Sequence, residues 1–174
     1  LKLAKLLYPI TAAFSAYVLH REYQYSATWS MMANHAGFAG MLFKLFHPTV
    51  PHILELQDGR AFADMKSRQP VLRIIWPLYE RVYRAANVIK VISNFLAHEV
   101  ELLGETAPVH VIPNGVDVEK FSAQVPSEHI NALKNTYGKQ EGDVFLFTAS
   151  RLVLSRGVED TIRALSDLPS HVKL

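Results

Sequence analysis

Short β-branched runs alternate with segments of helical periodicity along most of this chain, and that alternation limits the fold more than any other feature. Ala27–Met32, His52–Leu56, Val88–Ile92 and Val109–Ile112 read as strands. Gly37–Phe46, stopped by His47-Pro48, reads as a helix. So does the stretch from Pro70 carrying Val71, Ile74, Ile75, Leu78, Val82 and Ala86, with Pro77 dividing it. A third helix carries Phe95, Leu96, Val100 and Leu103, with Ser93 as N-cap and Gly104 as its end. A helix over residues 3–20 with Pro9 near its start precedes them, and residues 60–69 read as a loop. Strand, helix, strand with short connections predicts an α/β fold, a Rossmann-like parallel sheet with helices on both faces.

The run Val109–Ile112 predicts a buried strand that ends at Pro113, where Asn114-Gly115 supplies a turn. Beyond Asp117 the pattern restarts. A linker leads to a helix through Ile130, Leu133 and Tyr137, then to a buried central strand over Asp143–Ala149. The loop Arg151–Gly157, a helix marked by Val158, Ile162 and Leu165, and a strand from Val172 complete a second β-loop-α-β unit. The expected division is therefore 1–116 and 117–174. A loop at the carboxyl end of a strand, between two such domains, is where open α/β sheets place ligands. Leu1 already lies inside a helical pattern and Leu174 inside a strand pattern, so the chain is expected to be an internal piece of a longer protein.

Composition narrows the class. Apolar residues make up 49% of the 174, enough for a core. Eighteen basic and sixteen acidic residues leave a net charge of +2, which by itself argues neither for nor against nucleic acid; no nucleic-acid partner is expected. Between Arg60 and Lys90, however, seven basic residues (Arg60, Lys66, Arg68, Arg73, Arg81, Arg84, Lys90) face only Asp64 and Glu80. That local excess could attract an anionic membrane surface or phosphates, although a solvated helical face is the first reading. The absence of cysteine rules out disulfides and cysteine-based zinc sites and fits a cytoplasmic setting. The most apolar stretch, Leu6–Leu19, is too short to span a bilayer and carries Pro9.

Three places carry candidate chemistry. The loop Arg151–Gly157 joins a strand to a helix N-terminus, where free N–H groups and two arginines could hold a phosphate; the alternative is a pair of surface arginines on an ordinary loop. Gln57-Asp58-Gly59 follows a strand and offers either a hydrogen-bonding pair at the sheet edge or a plain turn. Ser93 is a helix cap first and a ligand contact second. Neither a dinucleotide glycine motif nor a P-loop is present, His98-Glu99 lacks a second histidine at Leu102, and the eight histidines show no metal-ligand spacing.

Taken in order, Val91-Ile92-Ser93-Asn94-Phe95-Leu96, then Val111-Ile112-Pro113-Asn114-Gly115-Val116-Asp117 with Phe121, then Ser150-Arg151-Leu152-Val153 with Gly157-Val158, resemble the retaining family-4 glycosyltransferases of the GT-B fold. The resemblance implies most of an acceptor-side Rossmann-like domain followed by the start of a nucleotide-sugar-binding one, joined at the Pro-Asn-Gly-Val-Asp block. It implies sugar transfer from a nucleotide-diphosphate donor, with retention, to a sugar, lipid-linked or other acceptor. Arg151 and Arg156 would pair with the donor diphosphate, so neither metal nor cofactor is needed beyond the co-substrate itself. Ser93, Asn114 and Gly115 would shape the cleft and hinge. Gln57 stands where many relatives carry histidine, with Asp58 beside it as a catalytic candidate. Ser150 replaces the usual glycine, and Arg156 the usual lysine. The piece alone is expected to be inactive. A GT-B nucleotide-sugar epimerase and a non-catalytic Rossmann-like binding module are the alternatives.

Overall fold

In the computed structural model, described residues are 2–68, 70–104 and 107–174; Leu1, Gln69, Glu105, Thr106 and the side chains of Lys2, Leu3, Arg68, Pro70 and Ser155 lie outside the described residues. The chain divides into two compact units, residues 1–115 and 116–174.

Unit 1 opens with α1 (Lys2–Tyr23), which runs through Pro9. Proline removes one backbone donor from the helix, and the Thr11 hydroxyl donates into that turn, to the carbonyls of Tyr8 (3.1 Å) and Leu7 (3.3 Å). Next come β1 (Thr28–Met31), α2 (His35–Phe46), β2 (His52–Leu56), α3 (Phe62–Arg68), α4 (Pro70–Ile74), α5 (Trp76–Ala85), β3 (Val88–Val91), α6 (Asn94–Glu101) and β4 (Val109–Val111). The four strands are parallel and lie in chain order, β1-β2-β3-β4.

That order decides where the helices go. Each crossover steps to the next strand in the same direction, and right-handed connections then put every crossover helix on one face. The expectation of helices on both faces is corrected accordingly for the described residues of this unit. On the covered face Leu54, Leu56, Ile89 and Val91 pack with Tyr79, Val82, Tyr83, Leu96 and Val100. On the other face the register lines up Met31, Glu55, Lys90 and His110, with Trp29 62% exposed. For the same reason β4, at the edge of the sheet, is not the buried strand expected: His110 and Val111 are exposed.

Helix α2 lies close on the sheet because it carries glycine where a side chain would collide. A Cβ at Gly40 would stand 2.2 Å from the His52 ring, and one at Gly37 would stand 2.7 Å from Val82. Asn34 caps this helix, its side chain accepting the Ala36 N–H.

The expected loop over 60–69 contains helix α3. Its first residue, Phe62, is buried, and its N–H donates to the Glu99 carboxylate at 2.6 Å. A carboxylate from α6 thus satisfies an orphan donor at the positive end of α3. Local polarity hides this helix because its cap lies 37 residues away. Glu99→Ala is expected to destabilise the protein by about 1.5–3 kcal/mol, the range for a hydrogen bond to a charged group. Glu99→Gln keeps an acceptor and is expected to cost less than half of that; comparing urea midpoints of the two variants checks it. The other break, expected at Pro77, falls at Ile75, and Pro77 sits in the first turn of α5 where its missing donor is harmless.

Unit 2 contains α7 (Val118–Ser122), α8 (Ser127–Thr136), β5 (Val144–Phe145), a 3-10 turn (Leu154–Arg156), α9 (Val158–Leu165) and β6 (Val172–Lys173). Helix α7 lies within the expected linker and starts at Asp117, whose carboxylate accepts the Lys120 N–H at 3.0 Å. Strand β5 pairs in parallel with β6 alone among the described residues, so the expected central strand over 143–149 is reduced to two residues. Phe147 and Ile162 are exposed as a result.

Candidate active site

Parallel strands bring their carboxyl ends to one edge, and in unit 1 that edge collects Met32, Gln57, Asp58, Ser93 and Asn114. The amide nitrogen of Gln57 donates to Glu55 Oε1 at 2.8 Å and reaches Asn114 Oδ1 at 3.5 Å. Lys90 Nζ donates to the same Glu55 oxygen at 2.5 Å. A polar line therefore runs Lys90–Glu55–Gln57–Asn114 across three strands. Hydrogen bonds first from Lys90 and then from Gln57 hold the Glu55 carboxyl below its ordinary range. Glu55 is only 2% exposed, although it lines the open sheet face beside Trp29, Met31 and Lys90. Gln57 is thereby fixed through its nitrogen, and its carbonyl oxygen makes no hydrogen bond among the described residues. That oxygen can accept a hydroxyl proton in a hydrogen bond. It cannot remove one.

Asp58 turns another way. Arg60 grips its Oδ2 through Nε, at 2.8 Å, and through Nη2. The same contact raises the Arg60 pKa. Beneath them, the Tyr83 hydroxyl donates to Tyr79 at 3.1 Å, and burial pushes both phenols up. The space enclosed by Asp58, Arg60, Met65, Tyr79 and Tyr83 is about 20 Å³, room for one water and not for a sugar. A broader depression of about 470 Å³ lies on the open sheet face, lined by Trp29, Met31, Glu55 and Lys90. The most apolar hollow of unit 1, about 420 Å³ between α1 and α2, is built from Ile10, Phe14, Tyr17, Leu42 and Phe46 and holds none of these groups.

Ser93 accepts the Leu96 N–H at 3.4 Å and caps α6, the role read first from its position. Asn114 and Gly115 are exposed. The expected Asn-Gly turn is corrected: residues 112–117 form an irregular connection, and Gly115 does not adopt a positive φ.

In unit 2 the loop before α9 is tightly folded, with Val153 N–H on the Arg151 carbonyl (2.8 Å) and Arg156 N–H on that of Val153 (2.9 Å). Gly157 follows with φ +67, a conformation that favours glycine, and begins α9 without a side-chain cap. Arg151 and Arg156 are exposed and make no ion pair among the described residues. The neighbouring hollow, about 520 Å³, is lined by Leu152, Val153, Leu154, Val158 and Ile162 with Glu159 and Arg163, which pair with each other. Neither candidate arginine lines it. The loop therefore offers two guanidinium groups without an ion pair among the described residues, beside an uncapped helix start whose first turn also carries Glu159 and Asp160, with Glu159 engaged by Arg163.

Sequence reasoning missed Glu55, Lys90 and Arg60. A signal existed for the first two: each is the lone charge in an otherwise apolar strand, and the charges are opposite. Lone opposite charges at the same depth in adjacent strands mark a cross-strand pair.

A four-stranded parallel sheet interleaved with helices, its carboxyl edge lined by polar side chains, defines the fold as Rossmann-like α/β. Its family follows from comparison: the sequence profile of Glycosyltransferase Family 4 matches residues 4–120, more than half of the chain, and the chain belongs to that family. A D-inositol 3-phosphate glycosyltransferase of Xylanimonas cellulosilytica is 29% identical over 176 residues, which cover 93% of this chain and 41% of that relative. The chain thus spans about two fifths of that relative's length.

Proposed function

We propose that the full-length protein transfers a hexosyl group from a nucleotide-diphosphate donor to an acceptor hydroxyl with retention of configuration. The acceptor is a sugar, a lipid-linked sugar or another hydroxyl compound. Family membership supports transfer, and the observation that carries the donor class is the pair of unpaired arginines at the uncapped start of α9. As the bond from the anomeric carbon to the diphosphate oxygen lengthens, charge gathers on the leaving diphosphate, and guanidinium groups in its path stabilise it. A cytoplasmic setting suits the cysteine-free composition.

Gln57 has the role of orienting the acceptor through its carbonyl oxygen, with Glu55 and Lys90 fixing the amide. Asp58 is the second candidate, and its contact with Arg60 makes it a positioning group for this loop. Gln57→Ala in the full-length enzyme is expected to lower kcat/KM for the acceptor on the order of 10²-fold, the cost of a misplaced reactant. Asp58→Asn is expected to have a smaller effect, since the amide still accepts one bond from Arg60. Unchanged rates in both variants remove the pair from the mechanism. The anomeric configuration of the product, read from proton couplings, tests retention separately; an inverted product overturns it.

A further inference from the structure

Helix α4 and the first turn of α5 carry apolar residues on two sides. Leu72, Trp76, Tyr79, Val82 and Tyr83 are buried beneath them. Outward, Val71 (69% exposed), Ile74 (81%), Ile75 and Leu78 (43%) form a stripe at successive helical positions. A helix apolar all round is ordinarily enclosed, and a contiguous exposed aliphatic stripe marks a surface that meets something.

The surroundings of the stripe say what. Arg73 and Arg81 are exposed within it and make no ion pair among the described residues. Arg84 is exposed as well, and Lys66 is held at 3.9 Å over the Trp76 ring. Glu80, the acid within α4 and α5, is already engaged by Trp76 Nε1 at 2.7 Å and Arg84 at 3.2 Å. The surface is therefore aliphatic at its centre and cationic around it. A second copy of the chain would set this cationic rim against itself in a two-fold contact. Single-stranded nucleic acid would want aromatic stacking platforms, and a duplex would want cations rather than aliphatic side chains at the centre of the contact; an Ile, Val and Leu stripe supplies neither.

We propose that this outer surface of α4 and the start of α5 docks on an anionic lipid bilayer. Val71, Ile74, Ile75 and Leu78 enter the boundary between headgroups and acyl chains, while Arg73 and Arg81 meet anionic headgroups. The basic stretch from Arg60 to Lys90 does not act as one patch. Arg60 is held by Asp58, and Lys90 lies on the open sheet face against Glu55, so among the described residues the lipid-facing charge lies on α4 and α5 with Lys66 of α3 beside them. A few aliphatic residues with two free arginines give weak, reversible attachment rather than anchoring. The proposal is independent of the donor chemistry.

Co-sedimentation of the full-length protein with phosphatidylcholine vesicles, with and without phosphatidylglycerol, tests it. The expected result is binding that requires phosphatidylglycerol and weakens with salt. Arg73→Gln with Arg81→Gln is expected to reduce the partition coefficient about 30-fold, and Ile74→Ser with Leu78→Ser to reduce it by a similar factor. All four positions are exposed, so circular dichroism and Tm should match the wild type. Equal binding to both vesicle types overturns the proposal, as does binding that neither double variant changes. Absence of vesicle binding, with concentration-dependent self-association that the serine variant abolishes, overturns it in favour of a dimer.

Discussion

Replacing Arg151 with alanine in the full-length enzyme is expected to lower kcat by about 10²–10³-fold, the cost of removing one preorganised donor from a developing anion. The expectation rests on the proposed donor and on the state of the side chain. Arg151 spends its charge on no carboxylate among the described residues, and the loop carrying it is tied down by its own backbone hydrogen bonds. The backbone beneath the side chain is thus fixed, and the guanidinium is free to meet the leaving diphosphate as it gains charge. Because that charge is greater in the transition state than in the bound donor, the loss should fall mainly on kcat, with a smaller rise in KM for the donor. Arg151→Lys should recover part of the rate, since it restores charge without the planar fork that fits two phosphate oxygens. Arg156→Ala should also be slow, and the double variant should lose less than the product of the two single losses, because both side chains serve one anion. Steady-state rates with a nucleotide-diphosphate sugar decide the matter. An Arg151→Ala enzyme with wild-type kcat removes this arginine from the chemistry.

Much of the fold was legible because its signals are local. The strand at His52–Leu56, the Ser93 cap and the end of α2 at Phe46 each depend on residues within one or two turns. What escaped was set from a distance. Helix α3 is capped by Glu99, so a polar loop signature concealed it. Strand order, which no strand carries in its own residues, placed the crossover helices on one face and left His110 and Val111 exposed. The run over 143–149 has strand composition, yet it needs partner strands to extend, and β6 offers two residues. At the candidate site the residue types were legible at Gln57, Asp58, Arg151 and Arg156. Their partners were not: nothing near Gln57 in sequence indicates that Lys90 and Asn114 complete its surroundings. Asp58 is the exception, since its partner Arg60 is two residues away.

The stability of unit 1 is expected to fall by about 3 kcal/mol between pH 7 and pH 4 through His52 alone. This ring opens β2 and is 0% exposed. Its Nδ1 lies 2.9 Å from the Thr28 hydroxyl, which in turn reaches the Pro51 carbonyl at 3.4 Å. The proton placement that leaves no donor unpaired puts hydrogen on Nδ1 and a bare lone pair on Nε2, where the protein supplies no partner. A second proton would have to enter at Nε2, against α2 at Gly40. Burial first, and the charge of Lys44 second, lower the His52 pKa from 6.5 to about 4. The sign follows from proton counting. Between these values the unfolded chain binds a proton that the folded chain refuses, so acid favours unfolding; stability from this source is complete above about 6.5 and exhausted below about 4. Glu55, whose pKa is depressed, also loses stabilisation in acid, but only below its ordinary value of 4.5. The interval from 6.5 to 4.5 therefore isolates the histidine. His52→Leu should be less stable at pH 7, because the Thr28 contact is lost, yet its unfolding free energy should change much less across that interval. Urea denaturation at several pH values compares the slopes. Equal slopes in the two proteins would show that the folded ring takes up its proton as readily as the unfolded one, and burial would then not lower its pKa.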